Sequence, residues 1–208
     1  MGLAQLLVSN PAIFLLLAIP LLYSVIANEV SHGWAARLFG DNTAGDSGRL
    51  SLNPFKHLDP FGTLALFLVG FGWAKPVPVN YANLRPFRAG IICVSLAGCA
   101  ANIIIAAAAI LLLQFRAVNS APLAVIILVV LARINITLGA LNLIPIPPLD
   151  GSRVLLGILP ENAQRALVRL EPYGMLILIG LIFTGLLNPV ILSVQSLITA
   201  LIRTMLRI

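Results

Sequence analysis

Asn28-Glu29-Val30-Ser31-His32-Gly33 lies inside an apolar run that extends from residue 11 to residue 39 and stops at Arg37 and the Gly40-Asp41 pair. A run of that length is enough to cross the hydrocarbon core of a bilayer as one helix. A spacing of four places residues 28 and 32 on one helix face, with Glu29 beside them. A charged group inside a membrane helix costs about 2.5 to 3.5 kcal/mol on insertion scales, so Glu29 and His32 are not expected there without a task. The bland alternative is a polar cluster that only packs helices.

The rest of the chain supports a membrane setting. Its 208 residues are 60% hydrophobic and 10% charged, with a mean hydropathy of +1.03, more apolar surface than a soluble fold of this size can bury. The 13 Lys and Arg against 7 Asp and Glu give a net charge of +6 that belongs mostly to the connecting segments. Positive-inside topology explains that excess, and no nucleic-acid partner is expected. Cys93 and Cys99 fall within one apolar run at a spacing that suits neither a disulfide framework nor a CxxC pair, so both read as small packing residues. The first apolar run has no basic segment before it and no small-residue cleavage site, so a retained helix is expected.

Residues 40 to 60 are polar and rich in Gly, Asn and Pro, and Arg49-Leu50-Ser51-Leu52 alternates as a short strand would. Residues 61 to 73 are apolar but too short to cross, which predicts a re-entrant or interfacial piece. Pro76 and Pro78 alternate with Val77 and Val79 in the manner of an edge strand. Spans are expected at about 90 to 114 and 122 to 147, the second carrying Arg133 and Asn135 on a face that lines protein or water. Pro145, Pro147 and Pro148 break its end at membrane depth, where unwound backbone is tolerated only against protein or a wet cavity. Short amphipathic helices follow over 151 to 171 and a further span over 173 to 187, while the course of 189 to 208 is left open. The expected architecture is thus an all-α polytopic membrane protein in one domain, residues 1 to 208, with about four to five transmembrane helices, a re-entrant segment and short membrane-associated β-strands.

Basic residues 37, 49, 56, 75, 85 and 88 follow the first span and 153, 165 and 169 follow the third, whereas the turn between the second and third holds Arg116 alone. The positive-inside rule then puts the N-terminus outside and the nine cations in the cytoplasm. From residue 11 to residue 28 is roughly 26 Å of helix in a core of about 30 Å, so the polar cluster sits near the cytoplasmic face. The third span returns to that side and brings Asn142 and Asp150 to the same depth.

Asn28-Glu29-Val30-Ser31-His32 reads as the zincin pattern H-E-x-x-H with asparagine at its first position. In that pattern two imidazoles hold zinc and the glutamate takes a proton from the water that attacks a peptide carbonyl. The segment Asn142-Leu-Ile-Pro-Ile-Pro-Pro-Leu-Asp150-Gly151 resembles the N-P-x-x-D-G or L-D-G signature of the site-2 proteases. Gly48 to Pro54, Gly72 to Asn80, and Val94 to Gly98 with Asn102 extend the resemblance over about residues 20 to 160. It implies a zinc-dependent intramembrane endopeptidase of a bacterial or archaeal cell membrane, with one Zn(2+) per chain and a transmembrane protein as substrate in regulated intramembrane proteolysis. Carried over, it makes Glu29 the general base, His32 and Asp150 zinc ligands beside the degenerate position Asn28, and Asn142 a polar group near the scissile carbonyl. Asn102 would line the site, and Pro76, Val77, Pro78 and Val79 would receive an unwound substrate by strand addition.

An amide is a neutral, weak oxygen donor, so two good protein ligands remain where catalytic zinc sites generally use three. His57 is the other histidine; a structural role at the membrane interface is its default reading, and compensation for the missing imidazole the alternative. A pseudoprotease that binds transmembrane segments without cutting them is the competing function, favoured by Asn28 and opposed by the retained Glu29, His32 and Asp150. A transporter, suggested by the broken helix and Arg133, would call for inverted repeats, which the sequence does not contain.

Overall fold

The computed structural model describes residues 7–69 and 74–208. Helix α1 runs Pro11–Leu38, with Pro11 at its first turn and the Asn10 side chain accepting from Ile13 N–H at 3.2 Å. It stops where Gly40 takes a φ of +98° and Asp41 N–H turns back to Ala36 O, 2.9 Å. Short helices α2 (Thr43–Asp46) and α3 (Pro60–Val69) follow, then the long α4 (Phe87–Leu112), a single turn α5 (Arg116–Asn119) and α6 (Pro122–Asn142). The chain closes with α7 (Asp150–Ile158), α8 (Glu161–Leu170), α9 (Gly174–Phe183) and α10 (Asn188–Leu206).

Among the described residues, five stretches are long and apolar enough to cross a membrane: α1, α4, α6, Glu161–Phe183 and α10. The tail that the sequence left open is therefore a helix of spanning length. Helix α4 is the hub, packed against α1, α6 and α7, and α10 closes on α6. In a bilayer, apolar side chains gain little by meeting each other rather than lipid tails, so close approach of small residues does much of the packing. Ala106 and Ala140 meet Ile198 and Ile202 in one cluster, and Gly139 of α6 lets Ile103 and Asn102 of α4 come near.

Two expectations need correction. No strand occurs among the described residues: 49–53 is a bend leading into a 3₁₀ turn, and 74–80 is extended without a ladder. The physical reason is that Pro76 and Pro78 supply no N–H, so the two segments are joined by other means. Arg49 donates to Lys75 O at 2.8 Å and Pro76 O at 3.3 Å, and Lys75 N–H donates to His57 O at 2.8 Å. The re-entrant course expected for 61–73 is likewise unsupported: the described part is the ten-residue α3, and 70–73, with Gly72 and Trp73, lie outside the described residues.

In α6 the two polar residues part company. Asn135 is buried and donates to Ser24 Oγ of α1 at 2.8 Å, whereas Arg133 is exposed along a shallow cleft with Leu21 and Thr137. The protein-facing role expected for both residues therefore belongs to Asn135.

Candidate active site

Helix α6 ends at Asn142, and the proline-rich link Leu143–Leu149 delivers Asp150 as the first residue of α7. Gly151 makes this possible, since a Cβ there would press on the carbonyl oxygens of Leu143 and Ile144. The turn thus packs α7 against the end of α6 and fixes where the carboxylate stands. Asp150 Oδ2 lies 3.1 Å from His32 Nε2 of α1, with the two side chains only 16% and 11% exposed.

His32 Nδ1 lies 2.6 Å from Val94 O on α4. A carbonyl only accepts, so Nδ1 carries a proton, which leaves the lone pair of a neutral imidazole on Nε2. Nε2 and a carboxylate then face each other as two acceptors unless a proton or a cation lies between them. Ligand atoms held about 2.0 to 2.2 Å from zinc at tetrahedral angles stand roughly 3.3 to 3.6 Å apart, close to the separation seen here. The Val94 carbonyl plays the part that fixes tautomer and ring orientation in metal-binding histidines.

Asn28 is 5% exposed, and its Nδ2 is buried without a hydrogen-bond partner. A Cβ at Gly98 of α4 would come within 2.6 Å of that Nδ2 and 2.5 Å of His32 Nε2. The bare backbone of Gly98 therefore leaves a notch that Asn28 and His32 share. An orphaned amide, an imidazole lone pair and a carboxylate at such a notch fit a divalent cation, with one strong nitrogen donor rather than two. Among the described residues no three His, Cys, Asp or Glu side chains form a metal-holding group, and position 28 contributes an amide in place of an imidazole.

Glu29 Oε2 accepts from Val77 N–H at 2.8 Å. The 74–80 segment is held at a second point by Asp41, which accepts from Asn80 N–H at 2.8 Å and Asn83 Nδ2 at 2.9 Å. Burial works to raise the Asp41 carboxyl, but hydrogen bonds from Thr43, Asn83 and Asn80 outweigh it and hold the group below the usual carboxylate range. Val77 also packs on Gly33, where an added Cβ would meet its Cγ1 at 3.0 Å. The segment that carries Pro76, Val77, Pro78 and Val79 is thus bound to α1 directly over the candidate base.

The remaining expected residues are placed less closely. Asn102 is fully buried one turn beyond Gly98 on α4, and both ends of its amide lack a partner. Asn142 sits half-buried at the end of α6, with no hydrogen bond to Glu29, His32 or Asp150. His57 is fully buried elsewhere, with Nε2 against Ser51 O at 2.7 Å. It closes the 49–57 loop through that bond.

Several residues escaped sequence reasoning. Asp41 was read only as a stop signal, although an acid directly after a helix-ending glycine is well placed to bind loop N–H groups. Arg153, one turn after Asp150 on α7, donates to the Tyr81 hydroxyl and lies over its ring, 5.0 Å from the centroid. Together with Ile91, Leu156 and Gln164 they line a cavity of about 350 Å³ beside the site. Burial pushes the Tyr81 hydroxyl above its ordinary value despite the neighbouring guanidinium, so it stays neutral.

The profile of Peptidase family M50 matches residues 116–187. The chain is 37% identical over 177 residues to YwhC of Bacillus subtilis, provisionally named a zinc metalloprotease, with 82% of this chain and 81% of that one aligned. Rip2 of Mycolicibacterium smegmatis, named in the same way, is 33% identical over 188 residues, covering 86% of this chain and 71% of the relative. Rip2 of Mycobacterium tuberculosis strain H37Rv is 30% identical over 185 residues, 85% and 70% of the two chains. No solved structure gives a significant match.

Proposed function

The chain belongs to Peptidase family M50, the site-2 protease family, and on that premise we propose that it is an intramembrane endopeptidase that hydrolyses peptide bonds within or near transmembrane segments of membrane-anchored proteins. The observation that carries this reading is the approach of His32 to Asp150, with Glu29 three residues from His32 on the same helix. Position 28 is the departure from the motif, and it bears on activity.

His32 and Asp150 would hold one zinc ion per chain, with Asn28 at the third position. Bound there, the ion supplies Lewis acidity toward a water molecule and the scissile carbonyl. Glu29 is the general base: it accepts the proton of the attacking water and delivers it to the leaving amine. Val94 holds the His32 tautomer through Nδ1, and Val77 N–H holds the Glu29 carboxylate until substrate arrives. Asn142 and Asn102 orient the scissile peptide from the α6 and α4 sides. Pro76, Val77, Pro78 and Val79 form the surface against which an opened substrate helix lies, and Arg49 fixes that surface through the Lys75 and Pro76 carbonyls. The excess of basic residues on one side of the spans supports a site near the cytoplasmic face, with the N-terminus outside.

The test is reconstitution of the purified chain in vesicles with zinc and a membrane-anchored reporter whose transmembrane segment is isotopically labelled. Cleavage inside the segment that disappears in Glu29→Gln supports the reading. Asn28 favours a second one, a protease scaffold that holds transmembrane segments without cutting them. Reporter that co-purifies with the chain but stays intact, and is cut by Asn28→His, would establish that alternative. An Asn28→His, Glu29→Gln double variant should bind and not cut.

A further inference from the structure

We propose that Asn28 is itself a metal ligand, through its amide oxygen, and that the imidazole, carboxylate and amide set it completes discriminates less for zinc over manganese(II) than a site with two imidazoles. The inference rests on the metallopeptidase reading above and concerns which ion that site takes.

The placement of Asn28 is the first ground. Its Nδ2 and His32 Nε2 share the notch opposite Gly98, and Asp150 Oδ2 reaches the same nitrogen from α7. The amide end in the notch is buried and unpartnered. Rotation about the last side-chain bond exchanges the nitrogen and oxygen of an amide with little other change. With Oδ1 turned inward, an unpaired donor becomes an acceptor facing the place where a cation would meet His32 and Asp150.

Donor chemistry is the second ground. Asparagine and neutral histidine are both uncharged, so exchanging one for the other leaves the ligand charge at the single negative charge of Asp150. What changes is the donor atom. Imidazole nitrogen suits zinc, whereas carbonyl and carboxylate oxygens suit manganese and other hard ions. Zinc keeps the advantage that the Irving–Williams order gives it at any such site, but the loss of one imidazole should fall on zinc and largely spare manganese. The ratio of the two affinities therefore narrows.

The full-length protein in detergent, stripped of metal, is titrated separately with Zn(2+) and Mn(2+) against a chelating indicator, alongside Asn28→His and Asn28→Leu. Loss of a neighbour that merely supports a ligand costs about 10- to 100-fold in metal affinity, so exchange of a ligand should cost at least that. Asn28→His is expected to raise zinc affinity at least about tenfold and manganese affinity much less. Asn28→Leu, similar in size but unable to ligate, should weaken both ions by about tenfold or more. Equal binding by wild type and Asn28→Leu would show that Asn28 is no ligand and overturn the inference, leaving the peptidase reading intact. A parallel rise for both ions in Asn28→His would overturn the selectivity. Failure of every variant, Asn28→His included, to bind either ion would overturn the inference and remove the metallopeptidase reading with it.

Discussion

The backbone N–H of Val77 donates to Glu29 Oε2 at 2.8 Å, so the candidate base is tied to a segment that follows it in the chain by almost fifty residues. Four further backbone ties of that segment go to the loop between α1 and α3: Lys75 N–H to His57 O, Asn80 N–H to Asp41, and the Lys75 and Pro76 carbonyls to Arg49. Orientation of the base is thereby a property of two loops and not of α1 alone.

Substitution at Val77 separates the hydrogen bond from the packing. Val77→Ala keeps the N–H and loses the contact on Gly33, whereas Val77→Pro loses both, at a position whose neighbours are already proline. A hydrogen bond to a charged group contributes about 1.5 to 3 kcal/mol. The expectation is that Val77→Pro is less stable than Val77→Ala by roughly that amount. Chemical denaturation in mild detergent measures it, and equal midpoints for the two variants would show that the bond contributes nothing.

Gly98→Ala should damage the site while leaving the bundle assembled. The added methyl lands 2.5 Å from His32 Nε2 and 2.6 Å from Asn28 Nδ2, so both side chains must move. Overpacking of this kind costs about 1 to 3 kcal/mol. The discriminating readout is metal affinity, which should fall well beyond what the loss of stability explains. Gly180→Ala is the control, because nothing lies within 4 Å of a Cβ there.

His57 predicts a pH dependence. Burial lowers its tendency to protonate, the nearby Arg49 and Lys56 charges add to the effect, and the Ser51 carbonyl only partly opposes them. Nε2 donates to Ser51, and the buried Nδ1 has no partner to accept a second proton. The folded pKa is therefore below the unfolded value near 6.5. The contribution is present above that value and is lost as pH falls through it toward the folded pKa, because the unfolded chain takes up the proton first. The melting temperature should drop between pH 7.5 and 5.5, and His57→Gln, which keeps a donor for Ser51, should flatten that drop. The Asp41 carboxyl, held below the usual range, contributes throughout that window, and its share is lost only in stronger acid. An unchanged slope in His57→Gln would exclude His57 as the sensor.

The proposed orientation rests on the excess of basic residues on one side of the spans. A reporter fused after Arg88 should read as cytoplasmic, and one inserted between Gln114 and Pro122, around the α5 turn, as external. Opposite signals would turn the molecule over and move the site to the outer face.

Much of this was legible in the sequence because membrane spans are decided by length and hydropathy, properties of a local window. The approach of His32 to Asp150 was legible for a different reason: each residue sits in a recognisable motif, and alternating topology brings the motifs to one depth. The 49–52 and 76–79 segments read as strands in the sequence because alternation along a chain cannot report whether a partner strand exists. Arg49 and Asp41 replace the ladder with side chain to backbone bonds, which leave no periodic trace. The Gly98 notch and the Val94 carbonyl were invisible for a related reason: a glycine Cα and a main-chain oxygen matter here only through the helix that crosses them.

Metal stoichiometry of the purified chain, compared among wild type, His32→Ala, Asp150→Ala and the double variant, tests the central claim most directly. Both residues are assigned to the same ion, so each single substitution should lower zinc affinity by at least about 10- to 100-fold, and the double variant should bind none at concentrations that fill the wild type. An equivalent of zinc retained with unchanged affinity in all four proteins would contradict the account, since the ion would then be held somewhere other than between α1 and α7.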